Sequence, residues 1–165
     1  MVEPRPQSAF ERQLAYWRKP LCSSRAAHGN DPEVKPLWDT LYSADAEIII
    51  NGHDHDYERF APQDPSGKLD NQRGIWEFVV GTGGQNSNRS FASQKPNSEV
   101  RQADTFGVLK LTLRATSYDW EFVPEAGKTF ADSGTGTRRY ILIQNRRSEA
   151  GGRAGRDLLA KKTRM

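Results

Sequence analysis

The stretch NGHDHDYERF, residues 51–60, follows directly on the apolar run Ile48-Ile49-Ile50 and holds two of the chain's three histidines, His53 and His55. In extended backbone, residues two apart face the same side at roughly 6.5–7 Å separation. Two imidazoles so placed can converge on one metal ion, or each can bind one of two metals about 3.5–4 Å apart. Imidazole suits zinc, iron or manganese. Gly52 allows the backbone to turn sharply just before the pair, and Asp54, Asp56 and Glu58 surround it. The competing reading is a solvated polar loop that happens to contain two histidines. Position argues against it, because α/β sheets place their ligand sites at the carboxyl ends of buried strands.

The elements that must hold this stretch can be read from the flanking pattern. Phe10, Leu14 and Trp17 have helical spacing, but Leu14 to Trp17 also fits a short buried strand, and periodicity leaves both open. Residues 22–30, CSSRAAHGN, read as loop. Asp31 is a suitable helix N-cap, Pro32 suits a first helical position, and Val34, Leu37, Trp38, Leu41 and Tyr42 form one apolar stripe. Pro36 lacks the N–H that bonds one turn back, so the regular helix is expected to start near it. Glu47 to Ile50 reads as a strand, Ala61 to Gly74 as a loop, and Ile75 to Val80 as a second strand closed by Gly81-Thr82-Gly83-Gly84. A polar loop through Asp104 follows. Leu109, Leu111 and Leu113 then alternate, as do Tyr118, Trp120 and Phe122, which predicts an antiparallel hairpin across Arg114-Ala115-Thr116. The four tryptophans fall in different elements and read as core anchors. The sum is a layered α/β domain with long loops.

Length and composition bound the classes. At 165 residues the chain fits one domain. No run of about 18 apolar residues exists to form a membrane-crossing helix. The start, MVEPRPQSAF, lacks the basic-then-apolar pattern of an export signal, which leaves the compartment unassigned. The lone Cys22 has no internal disulfide partner. Residues 138–165 hold nine Lys/Arg against two Asp/Glu, whereas residues 1–137 hold 15 against 19. A folded, mildly acidic body over 1–137 and a basic, disordered tail over 138–165 are therefore expected. The tail's Arg/Gly/Lys content could hold nucleic acid through phosphates. That reading is the weaker one, since aromatics barely interleave with the arginines and no reader motif occurs.

Asn51-Gly52-His53-Asp54-His55-Asp56-Tyr57-Glu58-Arg59 resembles the last signature block of the calcineurin-like metallophosphoesterases, and most of all their purple acid phosphatase branch. The resemblance extends through AYWRKPLCSSRAAHGNDPEVKPLWDTL upstream, and FVVGTGG and SYDWEFVPEAGKTFADSGTGT downstream, covering roughly residues 13–137. Two other His-x-His families fail: the metallo-β-lactamase pattern needs Asp-His where Tyr57-Glu58 stands, and an amidohydrolase barrel needs far more chain after the motif. The resemblance implies an α/β/β/α sandwich, here its C-terminal half, with two metal ions (Fe, Zn or Mn) and a metal-bound hydroxide attacking a phosphate ester. By the same resemblance His53 binds one metal and His55 the other. His28 matches a histidine that orients the substrate phosphate or assists the leaving group, although a solvated loop histidine fits its position equally well.

Two departures from that pattern stand out. The blocks that supply most other ligands (Asp-x-Gly, Gly-Asp-x-x-Tyr and Gly-Asn-His-Asp/Glu) do not occur ahead of the histidine motif, where the family places them; the one Asp-x-Gly in the chain, Asp132-Ser133-Gly134, lies far after it. Position 18, a ligand histidine in the family's Trp-His-Lys-Pro, is Arg18 within Trp17-Arg18-Lys19-Pro20. A guanidinium stays protonated and offers no lone pair. The expectation is a phosphoesterase-lineage chain that is incomplete or inactive alone and pairs with the missing half or with itself. The alternative is a non-catalytic binding module on the same fold.

Overall fold

The computed structural model describes residues 14–84 and 90–137; Phe10 and the basic segment 138–165 lie outside them. Strand β1 (Leu14–Trp17) is followed by a 3-10 turn at Pro32–Val34 and helix α1 (Lys35–Ser43). Then come β2 (Ile48–Asn51), β3 (Tyr57–Gln63), β4 (Ile75–Val80), β5 (Ser98–Gln102), β6 (Gly107–Leu113), β7 (Ser117–Pro124) and β8 (Ser133–Thr137). A five-stranded mixed sheet has the order β1-β2-β4-β3-β5, and a three-stranded sheet the order β6-β7-β8. Strands β1, β2 and β4 run parallel, so their carboxyl ends lie along one edge. Strand β3 is antiparallel to both of its neighbours.

The helix behaves as its prolines require. Asp31 caps the 3-10 turn by accepting from the Glu33 amide, and the α-helix proper begins at Lys35, beside Pro36. Alternation along β4 then builds two cores. Ile75 and Val79 join Ile49, Phe60, Leu21, Val34 and the fully buried Trp38 under α1. Phe78 joins Ile48, Tyr57, Tyr118, Trp120 and Phe122 between the two sheets, with Trp76 and Val80 packed on their rim. The layers are thus helix, mixed sheet and antiparallel sheet. The expected hairpin is present, with Leu109 opposite Phe122 and Leu111 opposite Trp120.

Three expectations need correction. Ala61 to Gln63 is not loop but the end of β3, a strand buried along most of its length. The polar stretch after Gly84 contains β5, and a further strand, β8, lies beyond the hairpin. Composition hid all three because their pairing partners, rather than apolar periodicity, make them strands. In β8 the close approach of aromatic rings is decisive: a Cβ on Gly136 would lie 2.0 Å from Tyr118 Cζ, and one on Gly134 2.2 Å from Trp120.

Arg59 on β3 ties the layers together. Its Nε donates to Asp132 Oδ2 at 2.7 Å, its Nη1 pairs with Glu99, and the same Asp132 oxygen accepts from Tyr57 at 2.6 Å. The guanidinium lies 5.4 Å from the ring centroids of both Trp76 and Trp120. Removing one member of a buried pair strands the other charge, typically at about 3–5 kcal/mol. Arg59→Met is therefore expected to lower unfolding free energy by about that amount in urea titrations. Glu99→Gln, at the half-exposed end of the network, should cost under about 1 kcal/mol.

Candidate functional site

The site is built where the parallel strands end. The Gly52 amide donates to the Arg18 carbonyl at 3.1 Å, and Asn51 Nδ2 donates to the carbonyls of Trp17 and Lys19 at 3.3 Å each. These bonds continue the β1–β2 register one step beyond its last pair, Trp17 with Asn51, and fix Arg18 alongside Gly52. The Asp54 amide then returns to the Gly52 carbonyl at 2.8 Å, folding the chain tightly around His53. His53 takes φ +62°, the left-handed region. The extended geometry expected for the His53–His55 pair is thus replaced by a bend, since the chain must reverse into antiparallel β3. His55 is half-buried on that bend.

A third histidine joins them from a distance of 25 residues in sequence. The rings of His28 and His53 stack with centroids 4.4 Å apart and planes 27° from parallel. Burial, then the charges of His28 and Arg18, hold the His53 pKa below its ordinary value. Arg18 is exposed and makes no ion pair among the described residues, whereas Lys19 is taken up by Asp31 at 2.7 Å.

The acids of the motif have a different task from the one their position suggests. Asp54, Asp56 and Glu58 are fully buried and turned toward the 23–25 loop. Asp54 accepts from Ser23 Oγ. Glu58 accepts from the Ser24 amide at 2.7 Å and the Ser24 hydroxyl at 2.5 Å. Asp56 pairs with Arg25 at 3.5 Å. Burial, with the neighbouring Asp54 and Glu58 charges, pushes Asp56 up to about 7. These three clasps hold the loop that carries His28. The legible signal was the alternation of acids at 54, 56 and 58 opposite Ser23-Ser24-Arg25. Nothing local indicated that the two segments meet.

Sequence reasoning also missed Gly81 and Glu77. Gly81 reads as a plain turn, yet a Cβ there would lie 1.8 Å from the Asp54 carbonyl oxygen, and its amide donates to Asp56 at 3.0 Å. The end of β4 is thereby pressed against the histidine bend. Glu77 is wholly buried and accepts from the amides of Leu21 at 2.8 Å and Cys22 at 3.2 Å, fixing the start of the 21–25 segment. The Cys22 thiol, buried beside Glu77, is pushed up to about 12, which excludes a nucleophilic thiolate.

The donor set does not fit a complete two-metal centre. Among the described residues no three His, Cys, Asp or Glu side chains group as a metal site. The acids point away into the loop clasp, and a guanidinium stands at position 18.

No protein-family model and no curated protein matches the sequence. Solved structures do. A purple acid phosphatase from yellow lupin (Lupinus luteus) seeds aligns with a TM-score of 0.64 and 24% identity, covering 78% of this chain and 25% of that one. GAP50, described as the anchor in the inner membrane complex of Plasmodium, aligns with a TM-score of 0.54 and 20% identity, covering 70% of this chain and 33% of that one. The fold is metallophosphoesterase-like, and the chain spans about a quarter to a third of the length of these structures.

Glu77 gives a pH test of how the 21–25 segment is held. Burial raises its pKa from 4.5 to about 8, against the pull of the amides that hydrogen-bond to it. The folded state then keeps a proton that the unfolded chain releases. That stability is fully present below the unfolded pKa and is lost as pH rises through about 8. The unfolding midpoint of the wild type should fall relative to Glu77→Gln as pH rises from about 5 to about 8.5. Parallel curves for the two proteins would show that Glu77 is ionised in the fold throughout.

Proposed function

We propose that this chain is the C-terminal portion of a phosphate-ester hydrolase of the metal-dependent, purple acid phosphatase-like lineage, and that it is not a competent phosphatase alone. In this reading His53 and His55 are its contributions to the metal centre, and His28 addresses the substrate phosphate. One observation carries it: the fold brings His28 onto His53, at a 4.4 Å stacking distance, at the carboxyl edge of the parallel strands. The likeness to the lupin phosphatase supports the lineage. The metals in such a centre supply charge and an activated water. This chain's own residues provide the phosphate-facing rim and two of the donors.

The limiting residue is Arg18. A positive charge near a metal position costs several kcal/mol even at an effective dielectric of about 20. After dialysis the chain is expected to hold well under one equivalent of zinc, iron or manganese, with any binding lost in His53→Ala and His55→Ala. Co-expression with a lupin-type N-terminal portion restores the missing ligand blocks. In that complex Arg18→His should raise second-metal occupancy and aryl phosphate turnover by about tenfold or more. Two tightly held metals on the wild-type chain, by elemental analysis, would overturn the reading.

A second reading, a non-catalytic module on the same fold, is favoured by Arg18 itself and by the likeness to a protein described as an anchor. Either way a protein partner fits the surface. Strand β1 pairs with β2 alone among the described residues, and Tyr16 on it is 80% exposed. The isolated chain should therefore sediment as a dimer or larger species. A monomer at all concentrations would remove the partner.

A further inference from the structure

We propose that the free edge of β1 is a twofold contact between two copies of this chain, in which β1 of one copy pairs antiparallel with β1 of the other about Ala15. The contact uses the surface around Tyr16 and depends on neither metal nor hydrolysis.

Strand β1 is made of residues that do not suit its place. Leu14, Ala15, Tyr16 and Trp17 carry no charge and are aliphatic or aromatic on both faces. Leu14 and Tyr16 lie in register with Ile48 and Ile50, on the side of the inter-sheet core, while Ala15 and Trp17 pack on the core under α1. A strand that is apolar on both faces belongs inside a sheet, with a neighbour on each side. Among the described residues β1 has a neighbour on one side alone, and Tyr16 is left 80% exposed. The other outer strands are protected as edges usually are, by charge or by a lack of apolar side chains. Strand β5 carries Glu99 and Arg101, β6 carries Lys110, and β8 is serine, threonine and glycine throughout.

The strand is complementary to itself. Residues opposite each other in a sheet point to the same face, so a twofold axis must pass at a residue and not between two. Centred on Ala15, the pairing sets Leu14 against the partner's Tyr16 and Tyr16 against the partner's Leu14, with alanine against alanine between them. Aromatic and aliphatic cross-strand pairs of this kind are the stabilising unit of a sheet. Centred on Tyr16, it would set Leu14 against the partner's Arg18. The Ala15 centre also keeps the roots of the two Arg18 side chains about 20 Å apart along the sheet. That is more than twice the Debye length of about 8 Å at physiological salt, so their repulsion is screened. The inter-sheet core then continues across the axis, past Leu14 and Ile50, which are half-buried in the single chain. Because the two β1 strands run in opposite directions, the two histidine bends fall at opposite ends of the joined sheet. Association therefore neither needs nor completes a metal centre.

The test is sedimentation of the full chain over a range of concentrations, with EDTA present throughout. A monomer–dimer equilibrium is expected. Tyr16→Lys places a charge on the edge and should weaken dimerisation by about tenfold or more, as loss of an aromatic anchor does. Val108→Lys, at an exposed apolar residue of the other sheet, should dimerise as wild type. Under mild oxidation Ala15→Cys should cross-link the two copies, because opposed Cα atoms of antiparallel strands lie about 4.5–5.5 Å apart, within disulfide reach. Tyr16→Cys should cross-link far more slowly, since residue 16 and its copy are two positions out of register. Wild type, whose Cys22 is buried, should stay uncross-linked. Circular dichroism of each variant at low concentration confirms that association and not folding is read, and Ala15→Cys reads the contact with Tyr16 in place. A dimer that persists in Tyr16→Lys, or that is lost in Val108→Lys alone, overturns the β1 contact. Faster cross-linking through Tyr16→Cys than through Ala15→Cys overturns it too, as does a monomer at every concentration. Association that appears solely on adding zinc also overturns it, in favour of contact through the histidines. The hydrolase reading is decided by metal content and turnover, so the two proposals fail separately.

Discussion

Three buried carboxylates at alternate positions, Asp54, Asp56 and Glu58, grip Ser23, Ser24 and Arg25, and the geometry of the site follows from that grip. Three ionised acids with one arginine would be a costly arrangement in a low-dielectric interior. Two responses ease it. Hydrogen bonds from the two serines stabilise Asp54 and Glu58, while Asp56 moves up to about 7 and so can carry a proton at neutral pH. The clasp bridges residues more than 30 positions apart and brings the loop before α1 onto the bend after β2. Without it His28 would have no reason to meet His53.

The rest of the fold supplies rigidity around this clasp. Glu77 anchors the 21–22 amides from beneath the mixed sheet, and Gly81 allows β4 to press on the bend from the side. On the opposite face Arg59, Asp132 and Tyr57 join the two sheets through a second buried polar network, with the guanidinium 5.4 Å from the ring centroids of both Trp76 and Trp120. Both networks use residues of the NGHDHDYERF stretch. One ten-residue segment therefore holds the histidines forward, the loop clasp on one side, and the inter-sheet tie behind.

Arg18 changes what such a site can hold. A metal-binding pocket gathers negative or neutral donors around a cation, whereas this strand edge presents a fixed cation beside two imidazoles. The acids that would have balanced a metal are committed to the interior.

Much of the architecture was legible from local pattern. The helix stripe from Val34 to Tyr42, the β4 run from Ile75 to Val80 and the hairpin around Arg114–Thr116 all follow from side-chain period. The histidines were legible as a candidate site because residue type and the end of an apolar strand sufficed. Strands β5 and β8 were not, because polar and glycine-rich segments become strands through partners elsewhere in the chain. Nor could the sequence tell which acids face the rim and which face the core. Alternation fixes which residues share a face, but the identity of the surface opposite each face depends on long-range register. The sequence by itself determined the elements with a clear apolar period, and the unusual Arg18. Tertiary structure alone decided that Asp54, Asp56 and Glu58 are buried clasps and that His28 stacks on His53, because those contacts join segments that no local periodicity relates.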